Sequence, residues 1–317
     1  MNGKDELPLV FIGGCPRSGT TLMKRILDAH SDIFCGPEFG HLRAISELYK
    51  RMSQGIESGR ITQYASKNEL NIFIRQFILN FFQKVANDNN VKIVAEKTPD
   101  NVTAFCTLHE LFPNAKFIHV IRNPLDVVAS YQRVGLRMIV NQSEESHPKP
   151  YLSTQISRLK SFLFERKKKN QEEEKTVFNS VSLAAKNWKQ QVYFPRRFGE
   201  TFNSKSFQSN YLEVRYEDLV TNTEETVRQL CDFVGVSFEM GMLQLDRDLA
   251  GDSQVFGNKF YTKDEYISKI SENKVGRWED YLSPEEIKSV VEETEFYLIK
   301  YGYFSKQDVD IIINESK

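Results

Sequence analysis

Leu7-Pro8-Leu9-Val10-Phe11-Ile12-Gly13-Gly14-Cys15-Pro16-Arg17-Ser18-Gly19-Thr20-Thr21 opens with an apolar run of strand length and turns at paired glycines. From Thr21 to His30 the apolar residues then recur at helical spacing. Strand, glycine loop and helix in that order form an anion site, because main-chain N–H groups and the positive end of the helix converge on one point. Pro8 fits only the start of such a strand, where a missing N–H costs little. Gly14 to Thr21 follows the frame G-x-x-x-x-G-K-[ST] except that Thr20 stands where the lysine belongs. In a nucleoside triphosphatase that lysine reaches the β- and γ-phosphates, so its absence points away from triphosphate hydrolysis. Arg17 supplies a cation inside the loop instead.

Working outward, three more apolar runs read as strands. Val91 to Ala95 follows an amphipathic helix, Leu70 to Val85, and leads through Thr98-Pro99 into another helix. Lys116 to Ile121 is followed by Arg122-Asn123-Pro124 and a helix from Leu125 to Arg133. Asn210 to Val214 leads through Arg215-Tyr216-Glu217-Asp218 to a helix after Asn222, where Asn222 and Glu225 have capping-box spacing. Ser283-Pro284-Glu285-Glu286 opens a C-terminal helix, with serine as cap, proline in the first turn and glutamate returning the bond. Strands alternating with helices imply an α/β, P-loop-like three-layer fold whose central, mainly parallel sheet is flanked by helices. Ligands of such sheets bind beyond the carboxyl ends of the strands. One domain over residues 1–317 is expected, with a helical, charged insertion at about 135–181. Within it, Arg166 to Lys169 and Glu172 to Glu174 read as a solvated helix with i,i+4 pairing, or as a basic patch steering an acidic acceptor.

Composition narrows the function classes. With 40% hydrophobic and 27% charged residues in 317, the chain has ordinary globular usage and can bury a core. Forty-two basic and 43 acidic residues leave a net charge of -1, so no global field draws it to nucleic acid or anionic lipid. No apolar run is long enough for a transmembrane helix, and the charged start, Lys4-Asp5-Glu6, lacks the pattern of a secretory signal, so a soluble, cytoplasmic protein is expected. Cys15, Cys35, Cys106 and Cys231 are widely spaced with no CxxC pair, which suggests free thiols and neither zinc nor disulfides.

Pro16-Arg17-Ser18-Gly19-Thr20-Thr21-Leu22 resembles the 5′-phosphosulfate loop of sulfotransferases that use 3′-phosphoadenosine 5′-phosphosulfate (PAPS). Its continuation, Met23, Leu27-Asp28-Ala29-His30 and Cys35-Gly36, is similar to the tyrosylprotein sulfotransferase branch and its bacterial relatives. Ile121-Arg122-Asn123-Pro124 through Ser130 resembles the family's 3′-phosphate segment, with arginine and serine eight positions apart. The likeness covers Leu7 to Glu38 and Glu96 to Tyr131, and more loosely Tyr211 to Val220.

The resemblance implies the following roles. Arg17, Ser18, Gly19, Thr20 and Thr21 hold the 5′-phosphosulfate, Arg122 and Ser130 the 3′-phosphate, and Tyr216 contacts the nucleotide, although alone it reads equally as a packing aromatic. Lys274, Gly276 and Arg277, in Lys274-Val275-Gly276-Arg277-Trp278, look like the late cofactor segment, within a C-terminal stretch of about 250–317 that closes over the nucleotide. Glu38 lies 21 positions after Arg17, the separation between loop arginine and catalytic glutamate in the tyrosylprotein branch. As general base it would be ionised near neutrality. Two other readings stand beside it: Glu38 caps a helix beginning near Phe39, or His41 is the base. Pro37 stands where that branch usually carries a second acidic residue. Lys97, in Glu96-Lys97-Thr98-Pro99, matches the lysine on the bridging oxygen between phosphate and sulfate, Arg17 shares its charge role, and Ser253 falls where a transition-state serine is expected. The product would be 3′-phosphoadenosine 5′-phosphate (PAP), with no metal and no nucleic-acid partner. The acceptor is a hydroxyl: a tyrosyl peptide first, then a carbohydrate, then a small-molecule or lipid alcohol. Competing assignments are a P-loop kinase or nucleotidase, for which Asp100 and Asp126 are poor metal-holding candidates, and a non-catalytic nucleotide-binding protein.

Overall fold

The computed structural model describes residues 7–142, 173–201, 205–245 and 269–314. Its elements in chain order are β1 (Leu9–Gly13), α1 (Thr20–Asp28), β2 (Ile33–Phe34), α2 (Leu42–Glu57), α3 (Lys67–Asn89), β3 (Ile93–Lys97), α4 (Phe105–Leu111), β4 (Lys116–Ile121) and α5 (Pro124–Gln142). There follow α6 (Glu173–Thr201), α7 (Lys205–Ser209), β5 (Tyr211–Arg215), α8 (Tyr216–Thr221), α9 (Thr223–Val234), α10 (Pro284–Lys300) and α11 (Lys306–Asn314). Short 3-10 turns cover Pro99–Thr103, Met240–Met242 and Arg277–Asp280. The Arg166 to Lys169 block and Ser253 lie outside the described residues. Two compact units emerge: residues 1–122 with 191–273, and residues 123–190 with 274–317.

The first unit holds a five-stranded sheet in the order β2-β3-β1-β4-β5, with every neighbouring pair parallel. Successive side chains alternate between its faces. Leu9, Phe11, Val94 and Phe117 meet Leu70, Ile78 and Phe82 of α3 and Phe105 of α4 on one side. On the other, Val10, Ile12, Ala95, Ile118 and Val214 meet Met23 and Leu27 of α1 and Leu230 of α9. Covered on both faces, the strands carry continuous apolar runs rather than alternating ones. Each fully buried Phe or Leu contributes about 1.5–3 kcal/mol. The expected sheet class is thus borne out, with one strand added. β2 has only two residues, too few to produce a periodic pattern, and it adds to β3 at the sheet edge.

Two capping expectations met opposite fates. At Ser283 the capping box is present, its hydroxyl accepting from the Glu286 N–H while Glu286 accepts from the Ser283 N–H. At Asn222 it is absent: the residue precedes α9 but its side chain makes no cap bond, and only its carbonyl accepts the Thr226 N–H. The tight passage from α8 sets Asn222 at φ -118°, ψ 47°, away from the extended backbone a cap usually needs.

β4 carries a fully buried histidine. His119 Nδ1 lies 2.7 Å from the Tyr211 hydroxyl, which itself donates to Glu213 at 3.0 Å. The phenolic proton is therefore committed, and the imidazole donates Nδ1–H as the neutral tautomer. Burial, aided by the charge of Arg196, pushes its pKa down to about 3. The folded value lies below the ordinary histidine value, so the unfolded chain binds the extra proton and stability falls as pH drops from about 6.5 toward 3. The full effect is on the order of 5 kcal/mol. Melting His119→Gln and the parent at pH 7 and pH 4 checks this: the gap in melting temperature between the two pH values should shrink in the variant.

The second unit is helical. Pro124 opens α5 at the position where its missing N–H is not needed, and Asn123 Oδ1 accepts from the Leu125 N–H. Leu125 and Val128 of α5 pack with Ala185 of α6, Val290 and Leu298 of α10 and Val309 of α11. Among the described residues no helix is long and apolar enough to cross a membrane, and the four cysteines form no disulfide.

Candidate active site

All five strands point their carboxyl ends the same way, and each ends in or leads into a residue singled out from sequence. Strand order sorts these into flanks around β1, which leads into the phosphate loop. Toward β2 and β3 lie Glu38 and Lys97; toward β4 and β5 lie Arg122 and Tyr216.

The loop is built for an anion. Arg17 and Gly19 hold positive φ values of 76° and 97°, and the Ser18 N–H between them donates to the Cys15 carbonyl at 2.9 Å, so the chain turns tightly into the start of α1. Gly19 is the residue before α1, and the helix start has neither a capping side chain nor an acidic residue in its first turn. The amides of Thr20 and Thr21 lie in that first turn, where no intrahelical acceptor exists. Ser18 is fully buried and its hydroxyl has no partner. A buried hydroxyl left so costs about 1–3 kcal/mol unless a ligand accepts from it. Gly14 has no room for a Cβ, which would run into the Val120 carbonyl.

On the β4 and β5 flank, the buried Tyr216 lays its ring against Gly19, where any Cβ would strike it. Arg122 stacks on the other side of this cluster, its guanidinium carbon 4.5 Å from the Tyr216 ring centre, and donates to the Arg17 carbonyl at 3.2 Å. Tyr216 therefore both packs and braces the arginine. A planar cation stacked over a buried ring beside the loop is held so that its fork can meet an anion.

On the other flank, Lys97 and Glu38 form an ion pair, with the lysine side chain 4% exposed and the carboxylate 42%. Glu38 does not cap a helix. α2 begins at Leu42, with His41 as the preceding residue, so the capping alternative is corrected. The exposed His41 rests edge-on against Phe39, with ring centres 5.6 Å apart. The segment after Glu38 is held from below: the Phe39 N–H donates to Glu96 at 2.9 Å and the Gly40 N–H to the Thr98 hydroxyl at 3.2 Å. Sequence reasoning missed Glu96, although a carboxylate inside an otherwise apolar strand was its signal.

Ser130, Lys274, Gly276 and Arg277 belong to the second unit. Ser130 is half-buried on α5. Gly276 has φ 72°, and its N–H donates to Asp126 at 2.9 Å; the Trp278 N–H reaches the other oxygen of the same carboxylate at 3.1 Å. Asp126, weighed from sequence only as a metal ligand, thus fixes the turn that carries Arg277. Arg277 itself donates to the Tyr281 hydroxyl at 2.7 Å. Among the described residues, no group of three or more His, Cys, Asp and Glu side chains is placed to hold a metal ion.

A sequence model of the sulfotransferase family matches residues 8–142 and 151–240. The protein-tyrosine sulfotransferase of Drosophila melanogaster is 38% identical over 120 residues, 37% of this chain and 24% of that protein. Protein-tyrosine sulfotransferase A of Caenorhabditis elegans is 25% identical over 301 residues, 93% of this chain and 67% of that protein. The chain spans about a quarter of the fly relative's length. The sulfotransferase domain of a Synechococcus olefin synthase shares the fold, with a TM-score of 0.53 at 18% identity over 92% of this chain and 96% of that one. The likeness to the tyrosylprotein branch expected from the first helix is borne out by these relatives, and with more than half of its residues inside the family match the chain belongs to the sulfotransferase family.

Proposed function

We propose that the protein transfers a sulfuryl group from PAPS to a hydroxyl acceptor and releases PAP. The observation that carries this is the order of strand ends: an anion cradle at the centre, a braced arginine on one side, and a carboxylate–lysine pair on the other. The buried, partnerless Ser18 hydroxyl and the acid-free helix start fit the 5′ end of such a donor. When bound, PAPS supplies an activated sulfuryl group on a good leaving phosphate.

The chain's own residues do the rest. Loop amides and Ser18 hold the anion by hydrogen bonds that cost no reorganisation. Arg122 takes the 3′-phosphate as a fork, which Tyr216 keeps in orientation. Lys97 pairs with Glu38 and so holds its carboxylate in place, and a carboxylate can take the acceptor's hydroxyl proton as its oxygen becomes the nucleophile. Glu38 is favoured over His41 because only the glutamate pairs with Lys97, whereas the histidine ring leans on Phe39. Lys97 and Arg17 place positive charge where the leaving oxygen develops its own. The roles of Ser130, Lys274, Gly276, Arg277 and Ser253 rest on family resemblance and are part of the proposal. So is the acceptor: tyrosyl peptide before carbohydrate before small-molecule or lipid alcohol, with the first place supported by the protein-tyrosine sulfotransferases among the relatives.

The test is transfer of label from a radiolabelled sulfuryl donor to a tyrosyl peptide, an oligosaccharide and an aryl alcohol. Label in at least one acceptor, undiminished by a metal chelator, is expected. No label in any of them, with PAP still bound, would make the protein a non-catalytic nucleotide binder.

A further inference from the structure

We infer that Glu96 is the positioning residue that fixes the Glu38 segment against the end of β3, an inference that rests on Glu38 being the base. Glu96 is 4% exposed and lies beside Lys97 on the same strand. Every group aimed at its carboxylate is a donor. One oxygen accepts from the Phe39 N–H at 2.9 Å and from the Thr98 hydroxyl at 2.7 Å, and the other accepts from the Asn101 side-chain amide. With only donors around it, the group is suited to the ionised form, even though burial pushes its pKa up. A buried charge is costly wherever an amide or apolar side chain would also pack.

What the charge secures is visible in the bonds beyond it. Thr98, held by Glu96, accepts in turn from the Gly40 N–H at 3.2 Å. The two backbone amides that follow Glu38 are thus tied to alternate residues of Glu96-Lys97-Thr98, while Lys97 between them grips the Glu38 side chain. Backbone and carboxylate of the base are fixed by three consecutive residues. Asn101 extends the network to the loop strand, donating to the Ile12 carbonyl at 3.2 Å, and the Pro99 carbonyl accepts from the Gly14 N–H at 3.0 Å. The 96–101 segment therefore joins the base on one flank to the anion cradle at the centre. No apolar side chain at position 96 could accept these bonds.

Glu96→Gln keeps the volume but turns one acceptor into a donor facing a donor. Two readouts decide the matter: amide hydrogen exchange at Phe39 and Gly40 by NMR, and steady-state transfer with PAP affinity measured alongside. Exchange at both amides should quicken at least tenfold, and kcat should fall roughly 10- to 100-fold, the scale of a misplaced catalytic group. PAP affinity should stay within about twofold, since a displaced base leaves ground-state nucleotide contacts alone. Unchanged exchange and unchanged kcat in a folded Glu96→Gln protein overturn the inference while leaving Glu38 as base if Glu38→Gln is inactive. Faster exchange in a protein that transfers no sulfuryl group supports the clip and removes the catalytic assignment instead. Should Glu96→Gln fail to fold, Thr98→Val decides: faster exchange at Gly40 with a smaller fall in kcat supports the clip, and no change in either overturns it.

Discussion

Gly19→Ala is expected to abolish nucleotide binding, with PAP affinity lowered at least about 100-fold and the fold destabilised by about 2–4 kcal/mol. Two penalties coincide at this residue. Its φ of 97° lies where side chains are disfavoured, and the new Cβ would drive into the Tyr216 ring near its attachment, a part of the side chain that cannot swing away. Tyr216 is buried, so relief requires either moving the ring or unwinding the loop. Moving the ring withdraws the support of Arg122, 4.5 Å above it, and unwinding the loop undoes the turn that leads into the α1 N-terminus. Both routes damage the same ligand. Adding Tyr216→Ala should recover part of the stability, by removing the clash, but none of the affinity. Isothermal calorimetry and thermal melts of the single and double variants check both statements; a Gly19→Ala protein with parental PAP affinity would mean that the loop does not grip the nucleotide.

Glu38→Gln should lower kcat by about 10²- to 10⁴-fold, the range for loss of a general base. The amide keeps the size and can still meet Lys97 through its oxygen, but it cannot accept a proton. Because Glu38 and the Arg122–Tyr216 cluster follow strands on opposite sides of β1, PAP binding should be little changed. Loss of kcat with PAP affinity retained is the signature of an interaction used in the transition state. Parallel measurement of His41→Ala separates the two candidate bases: it should remain active, since its ring packs on Phe39 and the carboxylate alone pairs with the lysine.

Much of this site could be read from the chain because its parts follow long apolar runs. β4 was placed at its actual limits, Lys116–Ile121, and Arg122 followed as a strand-end cation. The loop was legible because Gly13-Gly14 and Gly19 bound a turn between a strand and a helix. What escaped has physical causes. β2 is too short for any periodicity, so the link that carries Glu38 from the sheet edge was not seen as part of the sheet. Glu96 and Asp126 act through bonds to backbone amides distant in sequence, Phe39 in one case and Gly276 with Trp278 in the other, and no local pattern marks such partners. Asn222 shows the converse: capping-box spacing was present, but the turn out of α8 left the backbone unable to use it.

The most direct measurement is calorimetric titration of the protein with PAP, AMP, and ATP in the presence of Mg²⁺. A nucleotide held at its 5′ end by the loop and at its 3′ end by Arg122 should give PAP the tightest binding, with AMP and ATP each weaker by roughly 100-fold or more for want of the charge-assisted 3′-phosphate contact. Equal affinity for PAP and AMP, or tighter binding of ATP with Mg²⁺, would contradict the account.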